Sequence, residues 1–138
     1  MMKTLMVFYS YTGHTKALAR EQAAKEGADL QEIKDAKRPG KLKAYSLGCF
    51  KAMGGKPWAI QPMEQDLSAY DPIFLCSPVW AGNPPPAVHA FLEQLPAGKK
   101  VKVTMVSASG KSSCREKLEA VIQAKDSALD SFEDVQIK

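Results

Sequence analysis

Three short apolar runs in this chain each stop abruptly at a cluster of small or hydroxyl-bearing residues, and this punctuation constrains the fold more than any other feature. Thr4-Leu5-Met6-Val7-Phe8-Tyr9 runs into Ser10-Tyr11-Thr12-Gly13-His14-Thr15. Pro72-Ile73-Phe74-Leu75-Cys76 runs into Ser77-Pro78-Val79-Trp80-Ala81-Gly82-Asn83, and Val101-Lys102-Val103-Thr104-Met105-Val106 into Ser107-Ala108-Ser109-Gly110. Brief, largely apolar runs bounded by turn residues read as strands covered on both faces.

Helical patterns follow each cluster. Residues 15–25 are rich in strong helix formers, with Ala17, Leu18 and Ala24 as candidates for the buried side and Gly27 as the terminator. Pro84, Pro85 and Pro86 precede Val88, Phe91, Leu92 and Leu95, which fall at i, i+3, i+4 and i+7. Proline suits a first helical position, so this run opens a helix that Pro96 and Gly98 close. Cys114, Leu118, Val121 and Ile122 mark another apolar face. Asp29-Leu30-Gln31-Glu32-Ile33 alternates like a half-covered strand, and Asp134-Val135-Gln136-Ile137 forms a short last strand. Residues 34–66 are interrupted by Arg38-Pro39-Gly40 and Gly54-Gly55-Lys56-Pro57, with a helix expected over residues 42–50.

Strands and helices thus alternate, which predicts an α/β fold with a parallel sheet and right-handed helical crossovers. The 138 residues are one domain's worth, 1–138. The final helix that would cover one face is missing from this alternation. A compact variant, or a homodimer covering that face, is the expectation.

Composition narrows the function classes. No apolar run approaches the roughly 20 residues of a membrane span, and Met1-Met2-Lys3-Thr4 has no signal-peptide layout. A cytoplasmic protein is expected. Cys49, Cys76 and Cys114 lack metal-ligand or Cys-x-x-Cys spacing, and His14 and His89 are far apart, so reduced thiols and no metal site are predicted. The net charge of +4 is uneven: Lys34, Lys37, Arg38, Lys41, Lys43, Lys51 and Lys56 share one stretch with a single acid, Asp35. Asp126, Asp130, Glu133 and Asp134 gather near the other end. No nucleic-acid motif accompanies the basic stretch, and no nucleic-acid partner is expected.

In open parallel sheets, ligands collect at the carboxyl ends of strands where the winding reverses. The first loop offers the hydroxyls of Ser10, Thr12 and Thr15, a backbone at Gly13 that a ligand can approach, and the start of a helix. That is an anion site without an arginine clamp. It has neither Walker A nor dinucleotide glycine spacing. The same composition also serves a plain helix cap by Ser10 or Thr12. In the second loop Trp80 is a large aromatic at a strand end, able to stack on a planar ligand or to pack on the prolines behind it.

With these residues in view, the chain resembles the flavodoxins. Ser10-Tyr11-Thr12-Gly13-His14-Thr15 is similar to their Ser/Thr-x-Thr-Gly-x-Thr phosphate loop, and the loop from Ser77 to Pro85 is similar to the one bordering the isoalloxazine after the third strand. Ser107-Ala108-Ser109-Gly110 occupies the place of the third flavin-contacting loop. The likeness extends in order and spacing over nearly the whole chain. It implies a flavodoxin-like doubly wound five-stranded parallel sheet of order 2-1-3-4-5. It also implies FMN at the junction of strands one and three, a placement for which flavodoxin is itself the standard example.

By the same resemblance, Ser10, Thr12, Gly13, His14 and Thr15 would hold the phosphate, with Tyr11 in the same turn. Pro78, Val79, Trp80, Ala81, Gly82 and Asn83 would line the ring, and Ser107, Ala108, Ser109 and Gly110 would close the other side. The implied role is electron transfer between redox partners. The chain departs from the many acidic flavodoxins in its sequence pI of about 8.9. A basic surface favours an acidic redox partner protein or an anionic donor such as NAD(P)H. The latter would make it a small FMN-dependent NAD(P)H:quinone-type oxidoreductase. A flavodoxin-shaped binding protein without flavin is the third reading.

Overall fold

Leu5, Met6, Val7 and Phe8 are all buried, and because side chains alternate across a strand this run presents apolar surface on two opposite faces. The computed structural model describes residues 3–10, 13–36, 59–80, 82–112 and 114–136. They form β1 (Lys3–Phe8), α1 (His14–Glu26), β2 (Asp29–Glu32), β3 (Tyr70–Pro78), α2 (Pro86–Glu93), β4 (Lys100–Ser107), α3 (Cys114–Ala124) and β5 (Ala128–Gln136). All four strand pairings are parallel, in the order β2-β1-β3-β4-β5. Phe8 pairs with Glu32 on one side and Cys76 on the other, so the reversal of winding falls between β1 and β3. The expected α/β fold and strand order are those observed.

One face of the sheet, with Leu5, Val7, Ile73, Leu75, Val101, Val103 and Met105, packs on α2 and α3. Ala87, Val88, Phe91 and Leu92 of α2 and Cys114, Leu118 and Ile122 of α3 supply the other half of this core. On the opposite face Met6, Phe8, Cys76 and Val106 meet Ala19 and Ala23 of α1. Toward β5 that face becomes polar. A groove of about 530 Å³ there is lined by Phe74, Lys102, Thr104, Ser131 and Glu133, among others. Lys102 spans it, 5.6 Å above the Phe74 ring and 3.7 Å from Asp130.

Three details differ from the sequence reading. In α1 the buried residues are Thr15, Ala19 and Ala23, whereas Ala17 and Ala24 are exposed and Leu18 is half-buried. Small residues let the helix lie close to the sheet, so size rather than hydrophobicity selects the inner side. The prolines open α2 as expected, with Pro85 as its cap residue, but the helix ends at Glu93, before Leu95 and the expected terminators Pro96 and Gly98. The last strand begins at Ala128, not Asp134. It runs along an edge with a register shift opposite Val101 and Lys102, and its solvated side carries polar residues that mask the strand pattern. The helix expected over residues 42–50 lies outside the described residues, as does Cys49.

Candidate functional site

The three clusters named from the sequence emerge side by side, because β1, β3 and β4 are adjacent and parallel and each cluster follows a strand's carboxyl end. In the first, Gly13 is the cap residue of α1, with φ 102°. An L side chain is strained in that left-handed region. The helix begins there with a bond from Ala17 N–H to the Gly13 carbonyl (3.2 Å). Ser10 does not cap the helix; its hydroxyl accepts from the Gly13 N–H at 3.0 Å and closes the loop upon itself. Among the described residues no side chain caps α1, and no acid stands in its first turn. Among the described residues the positive end of the helix thus carries no acid in its own first turn, at a point where a Cβ on Gly13 would meet nothing beyond its chain neighbours within 4 Å. Thr15 is buried and His14 exposed, whereas Tyr11 and Thr12 lie outside the described residues.

The second cluster is a tight turn. Trp80 N–H donates to the Asn83 carbonyl at 2.8 Å, and Asn83 N–H returns a bond to Trp80 at 3.0 Å. Gly82 sits between them with φ 78°; Ala81 lies outside the described residues. Val79 N–H donates to the Val106 carbonyl (3.2 Å), extending the β3–β4 pairing past Pro78. The Trp80 ring meets Tyr9 edge to face, 5.9 Å between centroids. Tyr9 in turn donates its hydroxyl to Asp35 at 2.8 Å. The contact joins the residue that immediately precedes the first cluster to the second.

In the third cluster the Ser107 hydroxyl accepts from Gly110 N–H at 3.0 Å, and Ser109 donates to the Lys111 carbonyl at 3.1 Å. The Ala108 carbonyl accepts from the Gln136 side chain at 3.1 Å. A Cβ on Gly110 would lie 3.0 Å from that of Gln136. Close packing against β5 therefore explains this glycine without any ligand.

Sequence reasoning missed the residues behind the turn. From α3, the Cys114 thiol donates to the Gly82 carbonyl at 3.4 Å, and the Lys117 ammonium donates to Asn83 Oδ1. The signal was present in their i, i+3 spacing on the helix that leaves the third cluster. Burial pushes the Cys114 thiol above its ordinary range, and drives that of Cys76, within β3, up to about 12. Among the described residues no cluster of His, Cys, Asp and Glu has metal-binding geometry, and no helix is long and apolar enough to cross a membrane.

His89 of α2 is buried, and its Nε2 has no hydrogen-bond partner among the described residues. Burial holds its pKa below the ordinary 6.5, assisted by the Lys117 charge and opposed by Glu93. The unfolded chain therefore takes up this proton more readily than the folded one, and acid favours unfolding. Stability contributed by neutral His89 is complete above pH 6.5, declines below it, and stops declining once the folded protein is protonated too. Urea denaturation across this range should show a steeper acid loss for the native chain than for His89→Leu; equal slopes would exclude His89 as the source.

A family model described as Flavodoxin matches residues 3–129. No curated protein matches the chain. Among solved structures, a flavoprotein from Lactobacillus acidophilus NCFM in complex with FMN is 24% identical, with a TM-score of 0.78, covering 96% of this chain and 92% of its own. The apo form of the flavoprotein from that organism gives 22% identity and a TM-score of 0.70 over 97% and 93% of the two chains. The two-electron reduced Megasphaera elsdenii flavodoxin gives 19% and 0.59 over 97% and 86%. The structural likenesses speak for the fold, and the family match extends from β1 into β5; the chain belongs to the flavodoxin family.

Proposed function

We propose that this chain binds FMN, the cofactor of its family, across the three clusters and carries electrons between redox partners. The observation that carries the reading is the Tyr9–Trp80 contact. It brings the end of β1, from which the glycine-led start of α1 follows, beside an aromatic turn, as suits a ligand with a phosphate at one end and a planar ring at the other. Ser10, Gly13, His14 and Thr15, with Tyr11 and Thr12 from the sequence pattern, would hold the phosphate. Pro78, Val79, Trp80, Gly82 and Asn83, with Ala81, would border the ring, and Ser107, Ala108, Ser109 and Gly110 would close the far side. When bound, FMN supplies the redox chemistry; the protein orients it and sets its surroundings.

One observation favours a second reading, a small NAD(P)H-dependent reductase. Lys16, Arg20 and Lys34 line a recess of about 190 Å³ beside the first cluster, together with Glu32 and Glu64. Such a cationic rim suits an anionic dinucleotide. Adding FMN to the purified chain and then NAD(P)H without oxygen decides between the readings. Saturable quenching of flavin fluorescence, with no bleaching by NAD(P)H, is the result expected of a carrier. Rapid bleaching would establish the reductase instead, and absence of quenching would overturn both.

A further inference from the structure

The Trp80–Asn83 turn is gripped from beneath by one face of α3. Cys114 and Lys117, three residues apart, reach consecutive residues of the turn: the thiol holds the Gly82 carbonyl and the ammonium holds the Asn83 side chain. The start of α3 is itself fixed to the sheet. Ser112 accepts from Cys114 N–H at 3.4 Å and donates to Asp134 of β5 at 2.6 Å. The turn thus has its own backbone bridge across Trp80 and Asn83 and a second, side-chain clamp anchored to the far strand. Lys117 is half-buried, so its charge is less screened here than it would be on an open surface.

Resting on the flavin assignment above, we propose that Lys117 is a positioning residue for the cofactor. It fixes Asn83, and with Cys114 it keeps the turn in the shape that borders the ring. Its charge also makes electron uptake easier, because reduction adds negative charge to the flavin and a nearby cation favours that state. The sequence-level departure toward basic character then has a local counterpart beside the redox group.

Lys117→Met keeps an unbranched stem and removes the ammonium. Lys25→Met removes the same charge from an exposed site near the end of α1 and serves as the control. In flavin-free protein, hydrogen exchange at the Trp80 and Asn83 amides should quicken by about tenfold in Lys117→Met, the lower end for a charge-assisted bond, and stay unchanged in the control. With FMN, the dissociation constant should rise by about tenfold and the midpoint potential should become more negative. Lys117→Arg should restore most of the affinity. Asn83→Ala tests the clamp from the other end, and the Lys117→Met/Asn83→Ala double variant should bind FMN no more weakly than the poorer single variant.

Unchanged exchange would dismiss the clamp whether or not flavin binds. Faster exchange with native FMN affinity and potential would show a clamp that does not act on the cofactor, and would overturn the proposal. So would strictly additive losses in the double variant. A native chain that takes up no FMN would instead refute the flavin assignment, and Lys117's role toward the cofactor with it, while the exchange measurement still reports the clamp.

Discussion

Gly13→Ala is expected to weaken FMN binding by about tenfold to a hundredfold. Gly13 holds φ 102° at the start of α1, and a non-glycine residue forced into such a region costs on the order of 1–3 kcal/mol. Beyond its chain neighbours, the added methyl meets no atom of the described residues within 4 Å, so no overpacking is expected there. Its cost falls on the backbone that aims the first-turn N–H groups, and on the open space where a phosphate would approach. If the loop relaxes to escape the strain, those groups turn away and affinity is lost directly. If it does not relax, the strain appears in folding, and the methyl still stands in the space a phosphate would occupy. Titration of flavin fluorescence measures the first outcome and urea denaturation the second. An unchanged dissociation constant would remove the phosphate from this loop.

Phe91→Ala is expected to have the largest effect on stability, about 3–5 kcal/mol by the usual cost of truncating a buried aromatic. Phe91 is fully buried, as are Ala87, Val88 and Leu92 beside it. The helix they belong to has only eight residues, too few to persist without packing. Pro85 and Pro86 shape its start, but the apolar face holds it down. Ordinary domains retain about 5–15 kcal/mol in total, so the variant should sit near the edge of folding. Its urea midpoint measures this. A loss below about 1 kcal/mol would show that the neighbouring side chains close the gap.

What could be read from the sequence divides along physical lines. β1 and β3 were legible because both their faces are covered and their apolar runs are nearly unbroken, and β4 because Val101, Val103 and Met105 repeat at strand spacing on the face toward α2 and α3. The three clusters were legible because small, hydroxyl and aromatic residues at a strand's end are a local signal. β5 was only partly legible: Asp130, Ser131 and Glu133 on its exposed side dilute the alternation that marks a strand. α1 gave its limits but not its buried side, because it packs through Thr15, Ala19 and Ala23 rather than through large apolar residues. Tyr9, Asp35, Cys114 and Lys117 were invisible as neighbours of the clusters. Their partners lie 26 to 71 positions away in the chain for Tyr9 and 32 to 34 for the α3 pair, and only the completed sheet brings them together.

The nine-residue edge strand β5 has a consequence for how copies of the protein behave when concentrated. An unpaired strand edge is a template for another chain, and among the described residues β2, at four residues, is the shorter of the two outer strands of the sheet. β5 carries Asp130, Glu133 and Asp134 along its length and an irregularity in register at its start. A second copy aligned on this rim would bring carboxylates against carboxylates across a distorted ladder. The acids that obscure the strand in the sequence thus oppose pairing of one sheet's edge with the next along the longer outer strand of the described sheet.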